Sequence, residues 1–255
     1  MPNTRDRGSL RQALIVVTAF ALLLGLGKIV PEAEAQTASP TFTYLSSPAA
    51  TGKTTRYWDC CKGSASWPGK ASVSAPVLAC TKDGVNRLDV NAQSGCNGGT
   101  SYACNNNQPW TVNESLSYGF AAASLAGKSE SDTSCACYAL KFTSGPVTGK
   151  TLVAQVVGLG GSLGDNHFSL LIPGGGVGIF NGCQSQWGAP ADGWGARYGG
   201  VSARDQCSQL PAQLRAGCQW RFDWFKNADN PTVSFRRVKC PAAITDRSGC
   251  KRKDE

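Results

Sequence analysis

Along most of the chain, hydrophobic residues occur in short runs separated by glycine, proline and polar residues, a pattern typical of β-strands joined by loops. Strand character is clearest in four segments: residues 150–157 (KTLVAQVV), 167–172 (HFSLLI), 177–180 (VGIF) and 233–238 (VSFRRV). The pattern therefore predicts a mainly β domain, of the kind that often closes into a small barrel.

Helical periodicity is weaker than strand character in this chain. Residues 113–126 begin with Asn113, a candidate N-cap, and then place apolar side chains at nearly helical spacing, which predicts a helix. Residues 203–214 predict a second short helix, broken by Pro211.

The N-terminal segment differs from the rest of the chain. Residues 13–27 form an apolar run that follows an arginine-containing leader and precedes the small-residue motif Ala33-Glu34-Ala35. We interpret residues 1–35 as a secretory signal peptide. A membrane anchor would need about 20 apolar residues, and Lys28 ends this run too early. We therefore expect a secreted, extracellular protein with no membrane segment after cleavage.

Composition divides the remainder into two parts. Residues 36–53 are rich in serine, threonine, alanine and proline and lack apolar periodicity, so we predict a linker. Residues 54–255 contain no internal repeat and no second low-complexity stretch, which indicates one folded domain.

The chain contains 12 cysteines but only one histidine. In an exported protein an even cysteine count favours disulfides, here up to six. Paired C-x-x-C spacing is absent, so zinc is the weaker interpretation, and we expect neither a metal nor a cofactor. The basic residues behind the net charge of +8 are mostly dispersed along the chain, and we expect no nucleic-acid partner.

Three aspartates stand among aromatic residues and glycines: Asp59 in TTRYWDCCK, Asp165 in GGSLGDNHFSL and Asp223 in WRFDWFK. For Asp223, a structural ion pair with Arg221 or Lys226 is the favoured interpretation. No G-x-S-x-G motif surrounds a serine, and the glycine run at residues 173–178 lacks the Gly-Lys-Ser/Thr of a phosphate loop.

Asp59 is the strongest catalytic candidate. It follows Tyr57 and Trp58, and such flat aromatic faces suit the apolar face of a sugar ring while a carboxylate acts at the glycosidic bond. Two structural alternatives stay open at this point: the carboxylate could pair with Arg56 or cap a turn.

Residues 54–67 (TTRYWDCCKGSASW) resemble glycoside hydrolase family 45, secreted endoglucanases that cut β-1,4-glucan with inversion. The resemblance continues through CACYALKFTSGPVTGK, NHFSLLIPGGGVGIFNGC and WRFDWFKNADNP, and so covers nearly the whole domain. It implies a six-stranded double-psi (barwin-like) β-barrel with short helices, long disulfide-linked loops and an open substrate groove.

The resemblance also implies roles for individual residues. Asp59 matches the catalytic base of the family, which activates water. The expected contacts with glucosyl units are Tyr57, Trp58, Lys62, Trp67 and His167.

The family's catalytic acid is the aspartate of a His-Phe-Asp motif, and the corresponding residues are His167, Phe168 and Ser169. A serine hydroxyl is a poor proton donor, and losing general-acid assistance typically costs about 10²–10⁴ in rate. Asp165 is a candidate substitute, because residues 165, 167 and 169 would share one face of a strand. Nearby, Ser162 replaces an aspartate that is usual in the family, and residues 156–159 replace a polar stretch.

Cysteine positions agree with the resemblance as well. Two residues that bridge each other in the family are replaced by Ala65 and Ser134, so one disulfide has been lost as a pair. The resemblance implies these six remaining bridges: Cys60–Cys183, Cys61–Cys96, Cys80–Cys104, Cys135–Cys250, Cys137–Cys240 and Cys207–Cys218.

Two functions follow as expectations. The first is a monomeric endo-β-1,4-glucanase homologue that acts on cellulose or related glucans, impaired by the change at Ser169. The second is a non-hydrolytic glucan-binding or wall-loosening protein, because an aromatic groove can hold a glucan chain without cleaving it.

Overall fold

The structure is a computed structural model that describes residues 41–255. Its strands are β1 (Ala50–Tyr57), β2 (Ala79–Cys80), β3 (Tyr102–Ala103), β4 (Trp110–Thr111), β5 (Leu116–Ser124), β6 (Cys137–Phe142), β7 (Thr151–Leu159), β8 (His167–Leu171) and β9 (Thr232–Val238). Its α-helices are α1 (Glu130–Thr133), α2 (Gly182–Trp187), α3 (Ala212–Asp223) and α4 (Ala242–Ser248).

Six of the strands form a closed barrel. They are hydrogen-bonded in the order β5-β7-β6-β9-β1-β8, and β8 pairs back to β5 to close the ring. The pairs β1–β8 and β5–β7 are parallel, and the other pairs are antiparallel. The predicted mainly β fold with a six-stranded barrel is therefore confirmed.

Aromatic side chains fill part of the barrel interior. The ring centroid of Phe168 lies 5.5 Å from that of Tyr138 and 5.0 Å from that of Phe235. Phe168 is fully buried, as are Leu140 and Leu170. Strands with β-branched and aromatic residues pack readily into such a core, and three of the four predicted strands are present as β7, β8 and β9.

The helix predicted for residues 113–126 is wrong, because this segment forms β5. Strand β5 lies between β7 and β8 and is buried on both faces, so its apolar residues do not alternate. Asn113 caps a turn instead of a helix: its Oδ1 accepts hydrogen bonds from the backbone N–H groups of Ser115 and Leu116.

Two further predictions need correction. The segment 203–214 contains a 3₁₀ helix at Asp205–Gln209, and Pro211 then precedes the start of α3 instead of breaking a helix. Proline is compatible with a helix start because the first turn needs no N–H donor there. Residues 177–180 form a loop, in which Gly178 has a φ of 64°.

The folded domain also begins earlier than predicted. Strand β1 starts at Ala50, inside the predicted linker, and the N–H of Leu45 donates to the carbonyl of Arg237 at 2.8 Å. Residues 1–40, including the predicted signal peptide and the first part of the linker, lie outside the described residues.

All six disulfides pair as the family resemblance implied. Cys60–Cys183 and Cys61–Cys96 fix the segment that follows β1. Cys135–Cys250 and Cys137–Cys240 tie β6 and the residues before it to the C-terminal part of the chain. Bridges of this kind supplement the core by limiting the freedom of the unfolded chain.

Candidate active site

A groove with a volume of about 1000 Å³ crosses one side of the barrel. Its floor is formed where β8 lies between β1 and β5: Ser169 is the register partner of Thr55 on one side and of Ala122 on the other, and all three line the groove. Asp59, two residues beyond the end of β1, lines the same groove. The fold thus brings the predicted base, Asp59, and the predicted acid position, Ser169, into one site.

The backbone around Asp59 is fixed by covalent and hydrogen bonds. Cys60 has a φ of 63°, in the left-handed region that non-glycine residues seldom adopt, and its disulfide to Cys183 holds it there. One carboxylate oxygen of Asp59 accepts the backbone N–H of Cys61 at 2.9 Å. The carboxylate is therefore oriented by its own chain segment.

Burial raises the pKa of Asp59 to about 6, and the hydrogen bond from the Cys61 backbone opposes the rise. The alternative in which Asp59 pairs with Arg56 is not observed. Arg56 instead contacts Asp229 at 3.1 Å and donates to the carbonyl of Gly199 at 3.2 Å. A carboxyl group with a pKa near 6 is ionised at neutral pH and is basic enough to accept a proton from water.

Ser169 is 8% exposed and contributes a hydroxyl group, not a carboxyl group, to the floor of the groove. Asp165 is exposed in the turn before β8 and is not among the groove-lining residues. Besides Asp59, the carboxylate that lines the groove within residues 41–255 belongs to Asp229. Its side chain is 82% exposed and is ion-paired with Arg56.

Of the three aromatic residues predicted to contact glucosyl units, two line the groove and one does not. Tyr57 and Trp67 line the groove, but Trp58 is 3% exposed and is not among the lining residues. Successive residues point to opposite sides of an extended chain, so Tyr57 and Asp59 share one side and Trp58 takes the other. Burial of Tyr57, and secondarily the nearby Asp59 charge, raise the pKa of Tyr57 well above its ordinary value.

The two polar residues predicted to contact substrate, Lys62 and His167, both contact other groups of the protein. Lys62 lines the groove, but its ammonium group donates to the carbonyls of Val90 and Ala92. His167 does not line the groove; its Nε2 lies 3.1 Å from the hydroxyl of Thr55, which does. Burial, and secondarily the nearby Lys53 charge, lower the pKa of His167.

Four large side chains that line the groove were not predicted as substrate contacts, and all four are exposed. Their exposed fractions are 48% for Leu159, 60% for Ile179, 55% for Phe180 and 72% for Tyr198. Exposed aromatic rings beside a groove are suited to stacking on sugar rings. Such exposure depends on the fold, and the local sequence carries no separate signal for it.

Asp223 lies away from the groove in an ion pair, although its partner differs from the predicted ones. Arg204 makes two contacts with its carboxylate, at 2.7 and 2.8 Å. Neither Arg221 nor Lys226 is hydrogen-bonded to it; Arg221 is directed to backbone carbonyls, including that of Val201 at 2.7 Å.

A barrel crossed by a groove that holds an aspartate and exposed aromatic rings is an arrangement suited to binding a polysaccharide chain. The family model described as "Glycosyl hydrolase family 45" matches residues 51–251. The chain belongs to this family.

Relatives support the assignment over most of the chain. The chain is 58% identical over 204 residues to "Endoglucanase" from Cryptopygus antarcticus, covering 80% of this chain and 90% of that protein. It is 55% identical over 212 residues to "Putative endoglucanase type K" from Fusarium oxysporum, covering 83% of this chain and 56% of that protein. The crystal structure of the cellulase from C. antarcticus has a TM-score of 0.80 and 57% identity, covering 82% of this chain and all of that chain.

The chain thus belongs to a family of glycosyl hydrolases whose members include proteins named endoglucanase and cellulase. Within residues 41–255, no helix is long and apolar enough to cross a membrane.

Proposed function

We propose that this protein binds β-1,4-glucan in the groove and hydrolyses it with inversion, using Asp59 as the general base and no carboxylic acid at position 169. The observation that carries the proposal is the Asp59 carboxylate, which lines the groove with a pKa of about 6 and is hydrogen-bonded to its own chain segment. Tyr57, Trp67, Phe180 and Tyr198 provide aromatic surface for glucosyl units.

In the proposed reaction, Asp59 removes a proton from a water molecule while the water oxygen attacks the anomeric carbon. The bond to the leaving oxygen breaks, and that oxygen must gain a proton. Ser169 cannot supply it efficiently, so solvent water is the proton source. We therefore expect slow cleavage of natural glucans, by about 10²–10⁴ relative to a site with a carboxylic acid.

A substrate whose leaving group needs no proton tests water activation by Asp59 separately from protonation of the leaving oxygen. β-Cellobiosyl fluoride releases fluoride without general-acid help, so the protein should hydrolyse it much faster than it cleaves cellohexaose. Asp59→Asn should abolish fluoride release, and Asp229→Asn, which changes another carboxylate of the groove, should largely retain it. Equal rates for wild type and Asp59→Asn would contradict the proposed role of Asp59.

Restoring the acid is the complementary experiment. Ser169→Asp should raise the rate of cellohexaose cleavage by about 10² or more and change fluoride release little. Ser169→Asn, which has similar size without a proton-donating carboxyl group, is the matched control. If Ser169→Asp gains no more than Ser169→Asn, the missing acid does not limit the reaction.

Asp165 is a second candidate for the proton donor. Its exposed position in the turn before β8 means that the turn would have to fold towards the groove when glucan binds. Comparing cellohexaose cleavage by wild type and Asp165→Asn tests this, because equal rates exclude a catalytic role for Asp165.

Non-hydrolytic glucan binding is the alternative function. It is favoured by Phe180 and Tyr198, whose rings are exposed beside the groove, together with the serine at position 169. Sedimentation with cellulose, without any rise in reducing ends or fluoride release, would support this function. Release of oligosaccharides that disappears in Asp59→Asn would support hydrolysis instead.

We also propose secretion after cleavage behind Ala35, because residues 1–35 have the order of a signal peptide. The mature protein would then begin at Gln36 and act as an extracellular monomer. N-terminal sequencing of the protein from the medium and analytical ultracentrifugation test these two statements separately.

A further inference from the structure

A second, much smaller cavity adjoins the groove at the proposed base. Its volume is about 20 Å³, and we call it the inner cavity. Asp59 and Tyr57 line both the groove and the inner cavity. The segment that carries the base therefore borders two spaces, one large enough for a glucan chain and one about the size of a water molecule.

Two buried polar side chains line the inner cavity without a hydrogen-bond partner among the described residues. Trp58 is 3% exposed, and its Nε1 donor is unpaired. Asn107 is 4% exposed, and its Oδ1 acceptor is unpaired. A buried polar group without a partner destabilises the folded protein, so both groups favour a small polar partner.

We propose that the inner cavity binds one ordered water molecule, held by the indole N–H of Trp58 and the amide of Asn107. This water hydrogen-bonds to the Asp59 carboxylate from the side opposite the glucan. A buried water needs about 10–15 Å³ of such space and two to four polar partners, and the inner cavity offers both. Trp58 and Asn107 are then positioning residues, because they act on the base through the water.

The bound water stabilises the ionised form of Asp59. Burial removes the Asp59 carboxylate from solvent. Among the described residues other than Asp59 itself, its hydrogen-bond donor is the backbone N–H of Cys61. A second donor on the carboxylate favours ionisation and limits the rise in pKa that burial causes. The inner water would therefore keep the base usable near neutral pH.

Other titratable groups near the base do not compete with this effect. Tyr57 is the other titratable side chain that lines the inner cavity, and burial raises its pKa well above its ordinary value, so it stays neutral while Asp59 titrates. Arg56 is paired with Asp229, and Lys62 is bound to backbone carbonyls. Trp58 and Asn107 carry no charge of their own.

A matched control for Asn107 is offered by Asn105. Both residues belong to the 3₁₀ helix Asn105–Asn107, both are buried, and both have an unpaired Oδ1 among the described residues. Asn105 donates to the carbonyl of Asp83 and does not line the inner cavity. Changing each to leucine alters burial similarly but removes a water ligand only at position 107.

Two measurements that do not depend on hydrolysis test the proposal. In a high-resolution crystal structure of the native protein, a water peak should lie within hydrogen-bond distance of Trp58 Nε1, Asn107 and Asp59. In carboxyl ¹³C NMR titrations, the pKa of Asp59 should rise by about one unit or more in Asn107→Leu and change little in Asn105→Leu. An empty inner cavity, or equal shifts in both variants, would overturn the proposal.

The indole donor is tested in the same way. Trp58→Phe keeps an aromatic ring but removes the N–H, and it should also raise the pKa of Asp59. Trp220→Phe is the control, since its Nε1 bonds to Ser117 and it does not line the inner cavity. The kinetic consequence alone rests on the proposed function: if Asp59 is the base, the rising limb of the pH–rate profile should move upward with its pKa. A protein without hydrolytic activity would leave the crystallographic and NMR results interpretable.

Discussion

The ammonium nitrogen of Lys62 lies 3.3 Å from the centroid of the Trp67 ring. The same nitrogen donates to the carbonyls of Val90 and Ala92 at 2.6 and 3.0 Å. Lys62 therefore covers one face of an indole that lines the groove and ties that ring to a neighbouring loop. A glucosyl unit that stacks on Trp67 would use the face that Lys62 leaves free.

We expect Lys62→Met to weaken glucan binding several-fold. The substitution removes a cation–π contact worth about 0.5–2 kcal/mol and leaves two carbonyls without their donor. Lys62→Arg keeps the charge and the donors and should bind more nearly as wild type does. Calorimetric titration with cellohexaose measures both, and unchanged affinity in Lys62→Met would show that Trp67 does not depend on Lys62.

The pH dependence of fluoride release should have one limb. Asp59 acts as a base only when ionised, so the rate should rise with pH through about 6 and then stay level, because no acid with a higher pKa must remain protonated. Ser169→Asp should add a falling limb when glucan is the substrate. A bell-shaped profile for fluoride release by the wild type would indicate a second titrating group in the reaction.

Asp59 should lower the stability of the folded protein at neutral pH. Its folded pKa of about 6 lies above the ordinary value of 3.8, so the native state binds more protons than the unfolded state between these values. The contribution of Asp59 to the free energy of unfolding is therefore greatest below about pH 4. It falls by up to about 3 kcal/mol as the pH rises through about 6.

Asp59→Asn should consequently be more stable than wild type at pH 7 and lose most of that advantage at pH 4. Urea unfolding of both proteins at the two pH values measures the difference. Asp229→Asn, whose side chain is largely exposed, serves as the control and should show no comparable pH-dependent gain. A constant difference at both pH values would mean that ionisation of Asp59 is not its cause.

Removal of different disulfides should lower the free energy of unfolding by different amounts. Cys60–Cys183 spans 123 residues and Cys207–Cys218 spans 11, so chain entropy alone predicts losses of about 5 and about 3 kcal/mol. Replacing both cysteines of each bridge by alanine and measuring guanidinium unfolding tests this order. Because Cys60 follows Asp59 directly, the first variant should also lose fluoride release, whereas the second should keep it.

Sequence patterns predicted those strands whose apolar runs are rich in branched residues, such as β7 and β9. They failed for β5, where Phe120 and several alanines are buried on both faces, because the absence of alternation resembles a helix. Disulfide pairing could not follow from cysteine counts, since twelve cysteines allow many pairings. It required the family resemblance, and the structure has the same pairs.

The candidate site was predictable to the extent that it depends on local sequence. Asp59, Tyr57 and Trp67 lie in one short motif, and all three line the groove. Trp58 belongs to the same motif but lies on the opposite side of the chain, beside the inner cavity. Tyr198 was missed because its exposure depends on how a distant loop packs against the groove.

The parallel pairing of β1 with β8 fixes the place of position 169 independently of the side chain there. Thr55 and Ser169 are held in register by main-chain pairing, which is indifferent to the side chain at position 169. If position 169 is that of the proton donor, as the family resemblance implies, a substitution there changes proton donation without disturbing this pairing. Glucan cleavage and glucan binding would then be able to evolve separately.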